Sequence, residues 1–296
     1  MSSDSINWDR FHLRRIIREN HGKPIVAIAV HPPSPHMSPP NRENLIATLG
    51  GPQYVAPNDI RLTCLTWMPF WPEETDAIIA MGDEKGAVRI LSLTRSSELS
   101  RLIPDTETPG QVLDVHALRN SAHLLTLHAD GVRLWDAFTT TCLDHASFKA
   151  SRTACAFASH PSTDDIFYLG MRNGDLSTMR IEHLEGTSRL TKGSVLYTAS
   201  QPIQGIQVSE EHGILAHLVS GKLVLLSDAG DVIKNIPGPK EASLPSLTPQ
   251  GSHTLIGDQQ GALHIISLES GKVDRALRHK RATRAIHASV VMSGGR

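Results

Sequence analysis

Short apolar runs alternate with polar, glycine-bearing turns along most of this chain. In residues 122–136 a run through Leu124 and Leu125 leads to Asp130-Gly131, and a second run from Val132 to Trp135 follows. Asp-Gly between two β-rich runs predicts a hairpin whose tight turn takes positive φ at Asp130-Gly131. The same pattern returns at 76–93, 165–181, 213–227 and 254–268, with turn glycines at Gly86, Gly174, Gly221 and Gly261. Glycine suits such turns because it has no Cβ to clash at positive φ. A lone hairpin is marginal in water, so each must borrow packing from its neighbours.

Each hairpin is preceded by another short strand, often ending near a proline. These strands fall at 24–32, 61–69, 112–118, 153–161, 202–209 and 244–249, and a seventh begins at 283–290. Their spacing of about 36–51 residues is centred near the length of a propeller blade. A further turn and strand, as at 269–278, brings the unit to four strands. Four-stranded units repeated at this interval predict an all-β fold, a β-propeller of about seven blades with irregular or incomplete first and last blades. The whole chain, 1–296, is then a single domain. Residues 1–20 form an N-terminal arm or closing strand, with 11–19 as strand or short helix. Residues 31–43 form a proline-rich surface loop, because stacked prolines prevent both helix and ladder. Within that loop, Ser34 and Ser38 precede prolines and offer phosphorylation sites. The first unit shows two strands and the last only one. A shortened chain, an irregular ring and completion by a partner account for this equally well.

The order of strand, turn and strand ending in Trp135-Asp136 resembles the WD-repeat family. In that family a strand Ser/Thr, a turn Asp and the Trp join a His in a structural hydrogen-bond network. Thr126, Asp130 and Trp135 match three of those places, while the Gly-His that should precede the unit is absent, which predicts an incomplete network. Asp83 and Asp258 occupy equivalent turns and are expected to be structural.

Charge and composition narrow the function. Net charge is −1 and the pI is near 7.0, so no global field draws the chain to nucleic acid or an anionic membrane. Three cysteines, Cys64, Cys142 and Cys155, without a CxxC pair, predict free thiols in a reducing compartment. The first residues lack the apolar core of a secretory signal, and no run approaches the length of a membrane span. GxSxG, Walker, GxGxxG and HExxH signatures are all missing. His116, His123 and His128 fall close together without a carboxylate or cysteine at ligand spacing, so no metal and no cofactor is expected. Two stretches are candidate protein-binding sites. Trp67, Phe70 and Trp71 cluster where a strand ends, as an interface anchor or as core filling. Arg278, Lys280 and Arg281 lie in a basic stretch, 275–284, which is expected to be a connection between units, either a solvated loop or a contact for acidic groups.

Residues 11–93 further resemble the embryonic-ectoderm-development (extra sex combs) subunits of Polycomb methyltransferase complexes. The matching motifs are His21/Pro24, Ala47-Thr48-Leu49-Gly50, Thr63-Cys64/Trp67 and Ala80/Gly82/Gly86/Arg89-Ile90. Family members trap trimethyl-lysine in an aromatic cage, where ring faces attract the quaternary ammonium. Two cage positions are Val26 and Leu62 here, which implies that this reading is lost and scaffolding remains. The resemblance thus implies a nuclear, non-enzymatic scaffold whose partners are proteins such as a histone methyltransferase subunit or a histone tail. Alternatives are a scaffold in RNA processing, a cytoplasmic setting, or a ubiquitin-ligase adaptor, although Phe138 stands where adaptors carry Arg. A propeller hydrolase or lyase would need convergent carboxylates or histidines that the sequence does not display.

Overall fold

The computed structural model describes residues 25–30, 46–50, 60–72, 77–93, 95, 97–106, 110–149, 153–184, 186–239, 246–247 and 252–278. The expected arm at 1–20, loop at 31–43 and strand at 283–290 lie outside the described residues, as do Lys280 and Arg281. Among the described residues every regular element is a strand and none is a helix.

The strands form six antiparallel sheets in chain order. Sheet I pairs β1 (Ile25–Val30) with β2 (Ile46–Gly50). Sheet II holds β3 (Leu62–Met68), β4 (Ile78–Asp83), β5 (Val88–Ser92) and β6 (Ser97–Leu102). Sheet III holds β7 (Val112–Ala117), β8 (His123–His128), β9 (Gly131–Asp136) and β10 (Thr141–Ser147). Sheet IV holds β11 (Ala154–Ser159), β12 (Ile166–Met171), β13 (Asp175–Leu184) and β14 (Thr187–Thr198). Sheet V holds β15 (Ile203–Ser209), β16 (Gly213–Leu218), β17 (Leu223–Leu226) and β18 (Val232–Ile236). Sheet VI holds β19 (Ser246–Leu247), β20 (His253–Gly257), β21 (Ala262–Ser267) and β22 (Val273–Arg278). Each four-stranded sheet is a simple meander, so every strand pairs with its neighbour in sequence. Short turns permit this, because an antiparallel pair needs no crossover.

The middle strands of sheets II, III and V are buried on both faces. β4, β5 and β17 are buried at every residue, whereas the outer strands β6, β14 and β22 alternate or lie open. This explains the nearly continuous apolar runs in the hairpins. The core is a series of layers between consecutive sheets. Ile78, Ala80, Val88 and Ile90 of sheet II meet Val112, Val115, Leu124 and Trp135 of sheet III. Leu125, Leu127 and Leu134 of sheet III meet Phe157, Phe167 and Leu169 of sheet IV. Equivalent layers join IV to V and V to VI. The first strand of each sheet lies beside the first strand of the next, as β1 with β3, β3 with β7, β7 with β11, β11 with β15 and β15 with β19.

One irregularity recurs. In sheets I to V the pairing of the first two strands slips by one residue at the same point, leaving Val26, Thr63, Leu113, Cys155 and Gln204 as the extra residues. Such bulges bend the strand and raise its twist. At the inner ends the sheets approach closely. A Cβ on Gly82 would lie 2.6 Å from Val112 Cγ1, and one on Gly170 would lie 2.5 Å from Ile203 Cγ2.

The turn glycines Gly86, Gly174, Gly221 and Gly261 all take positive φ, between 81° and 92°. The hairpin of sheet III is a correction to the sequence reading. His128 pairs with Gly131, so the turn residues are Ala129 and Asp130, and Gly131 is the first residue of β9 without positive φ. It is glycine for a different reason: a Cβ there would sit 2.5 Å from the carbonyl oxygen of Ala146.

Candidate functional site

The β8–β9 hairpin holds a closed polar network inside an apolar layer. Alternation along β8 places Thr126 and His128 on one face, and β9 places Trp135 beside them. The Trp135 indole N–H donates to Thr126 Oγ1 at 2.9 Å. The Thr126 hydroxyl lies 2.9 Å from His128 Nε2, and His128 Nδ1 lies 3.1 Å from the carbonyl oxygen of Gly110. Nδ1–H therefore donates to Gly110, and Nε2 accepts from Thr126. Burial pushes the His128 imidazole down to about 4, so it is neutral and fits this tautomer. The expected gap in the network is thus filled from within β8, by a histidine that the sequence had left without a partner. Asp130 does not join it. Its carboxylate takes two hydrogen bonds from the buried Arg133 guanidinium, at 3.0 and 2.6 Å, which hold it below the usual range.

Asp83 and Asp258 close two other hairpins in parallel ways. Asp83 accepts the N–H groups of Lys85 and Ala87 at 2.9 and 3.0 Å, and Asp258 accepts those of Gln260 and Ala262, both at 2.8 Å. The second oxygen faces a nitrogen six residues on, Arg89 Nε at 3.8 Å or His264 Nε2 at 2.8 Å. Burial opposes ionisation of Asp258, but the bonds from His264, Ala262 and Gln260 outweigh it. Both aspartates therefore have their oxygens engaged in the turn.

The aromatic cluster divides. Trp67 is buried on the side of sheet II that carries Leu62, Ile79 and Met81. Phe70, just after β3, is 42% exposed. Trp71 packs on the layer between sheets II and III and meets Phe138 edge-on, ring centroids 5.7 Å apart. Phe138, in the turn after β9, is 41% exposed. Strands one and three of adjacent sheets end together here, which places Phe70, Trp71 and Phe138 at one end of the II–III seam. The sequence reading did not join Phe138 to this cluster, because it lies 67 residues from Trp71 along the chain.

Arg275 and Arg278 belong to the outer strand β22 and not to the connection expected there. Arg278 is exposed at the strand end. The three cysteines are unpaired, and burial pushes the Cys64 thiol up to about 12. Two Ser–His–Asp chains occur near strand ends. His183 lies between Ser188 and Asp165 at 3.0 and 3.2 Å, and His253 lies between Ser252 and Asp274 at 2.9 and 3.0 Å. His183 and Asp165 are largely exposed, so the pair sits in high dielectric. Among the described residues no group of three or more His, Cys, Asp or Glu is placed to hold a metal ion. No described helix is long and apolar enough to cross a membrane.

No protein-family model matches the chain, and no curated protein matches it. Solved structures do: 1549 chains match it. One is the crystal structure of the computationally designed Ika8 protein, with a TM-score of 0.55 and 13% identity. The match covers 80% of this chain and 66% of that one, just under two thirds of its length. At this identity the likeness is one of fold alone.

Proposed function

We propose that this chain is a WD-repeat-type β-propeller acting as a non-enzymatic scaffold for other proteins. The five four-stranded meanders are five of its blades, and β1 and β2 begin another, in a ring of about seven. The observation that carries this reading is the contact of first strand with first strand through all six sheets. That stacking sets short turns on a rigid frame, the arrangement in which loops bind without chemistry. Phe70, Trp71 and Phe138 offer one protein-facing patch on that frame, aromatic anchors over a packed base.

The setting we propose is a nuclear chromatin-modifying assembly of the Polycomb methyltransferase kind, supported by the motif order in residues 11–93. Methyl-lysine capture is not part of the proposal. Val26 is a bulge residue of β1 and Leu62 is a buried aliphatic, and neither presents an aromatic face.

Affinity capture from nuclear extract tests the setting. A histone methyltransferase subunit should co-purify with the wild-type chain and be depleted at least tenfold with the Phe70→Ser/Phe138→Ser double variant. Recovery of splicing or ubiquitin-ligase components in its place overturns the chromatin setting.

A further inference from the structure

The seam between sheets III and IV is closed along part of its length and open along the rest. β14 covers it from the outside. The Leu190 N–H donates to Asp144 Oδ2 and Lys192 Nζ donates to the Ser147 carbonyl oxygen, both at 2.6 Å. Beyond Lys192 the β13–β14 pairing breaks twice in succession, between Leu176 and Ser177 and again between Ser177 and Met179. Thr178, Gly193, Ser194 and Leu196 drop out of register there. The Thr178 hydroxyl reaches only the Ser194 carbonyl oxygen, at 3.5 Å. These are the longest strands among the described residues, at 10 and 12 residues, so the break is a local feature of an otherwise extended ladder. Paired slips of this kind re-aim side chains and free backbone groups, and they concentrate next to binding sites.

A cavity of about 390 Å³ opens at this break, inside the range of ligand pockets. Its base is apolar, with Phe148, Met171 and Met179, and Val195 stands exposed on the rim. Its charges are unbalanced. Asp175 is buried and spends its carboxylate on Asn173 Nδ2 and Thr198 Oγ1, both at 2.8 Å. Lys149 and Lys192 remain as cations at the mouth. Lys192 is held in place by Ser147 and stands 5.9 Å from the Phe148 ring centroid, while Lys149 is exposed. An adaptable methionine base under a cationic mouth accepts an apolar side chain flanked by carboxylates.

We propose that this groove docks an extended acidic peptide through one apolar side chain, seated on Met171 and Met179 between Lys149 and Lys192. The groove is separate from the Phe70–Trp71–Phe138 patch, so the two proposals fail independently.

The test uses the full chain and a fluorescein-labelled peptide, Glu-Asp-Glu-Leu-Phe-Asp-Glu, followed by fluorescence anisotropy. Saturable binding is expected, weakened at least tenfold by Lys149→Glu and by Val195→Asp, and weakened again when salt is raised from 50 to 300 mM. A control peptide with lysine at each acidic position should not bind. Lys149 is a surface residue, so its variant should keep the wild-type melting profile. If Lys192→Glu lowers that profile, Lys149→Glu decides alone. Absence of saturable binding, equal binding of the lysine peptide, or an unchanged affinity in Lys149→Glu overturns the proposal. So does sedimentation showing that Val195→Asp abolishes self-association, which would assign the groove to a second copy of the chain.

Discussion

The indole N–H of Trp135 donates to the hydroxyl of Thr126 across the β8–β9 pair at 2.9 Å, with both residues almost wholly buried. The same hydroxyl serves His128, so one oxygen satisfies two buried ring nitrogens. Thr126→Val keeps the shape and removes that oxygen, leaving a donor and an acceptor without partners. Each such group costs about 1–3 kcal/mol. The variant should lose about 2–5 kcal/mol of unfolding free energy in urea titration, while Thr126→Ser, which keeps the hydroxyl, should lose about 1 kcal/mol. Equal losses in the two would show that the hydroxyl has no special part.

Gly170 should resist any side chain, and the resistance should have an address. Its would-be Cβ meets Ile203 Cγ2 at 2.5 Å but Ile203 Cβ at 3.0 Å. Gly170→Ala should cost about 1–3 kcal/mol by overpacking. In the background of Ile203→Ala, which removes the clashing methyl, the added cost should fall below about 1 kcal/mol. A double-mutant cycle by thermal unfolding reads this coupling, and strict additivity would contradict it.

Thr140 is the one described non-glycine residue with positive φ, 59°. A β-branched side chain in the left-handed region is strained by about 1–2 kcal/mol. Thr140 is exposed and ends the β9–β10 turn. Thr140→Gly should therefore raise stability by about 1 kcal/mol, seen as a higher melting temperature, with no change in the turn bonds from Phe138 and Thr139 to Asp136.

Acid should weaken the fold between about pH 6.5 and 4, where its buried histidines resist protonation. Burial pushes His116, His128 and His217 down to about 4, from 6.5 in the unfolded chain. Between those values the unfolded chain binds protons that the native one refuses. Their contribution is complete above pH 6.5 and is lost as pH falls towards 4. Asp114 opposes this, because burial raises it from 3.8 to about 6, so its contribution is present below pH 3.8 and is lost as pH rises to about 6. Three groups act against one, and the net effect is loss of stability on acidification. Urea midpoints at pH 7.5, 5.5 and 4.5 should decline in that order, and His217→Leu should flatten the decline.

Much of the fold was legible because the repeat is local. Four of the five hairpins announce themselves through a turn glycine at positive φ, and two through the aspartate that caps the turn. The chain misled where two physical reasons select one residue type. Gly131 looked like a turn residue beside Asp130, yet close approach to Ala146 is what excludes a side chain there. His128 looked idle because its partners, Gly110 and Thr126, are set by the tertiary stack and by a register that sequence does not show. Asp130 was placed in the network by motif, but Arg133, three residues on, competes for it at shorter range. The patch at Phe70 and Trp71 was visible in part, and Phe138 joined it only once sheets II and III were side by side. The bulges in β1, β3, β7, β11 and β15 left no mark in composition, since Val, Thr, Leu, Cys and Gln occupy them in turn.

Among the described residues the six sheets share no ladder with one another, and the main contacts between strands of different sheets join consecutive ones. Damage is therefore confined. A lesion in sheet VI deprives sheet V of one flank and leaves sheet II untouched, so a chain pulled from its end would shed its sheets singly, in a staircase of separate yielding events.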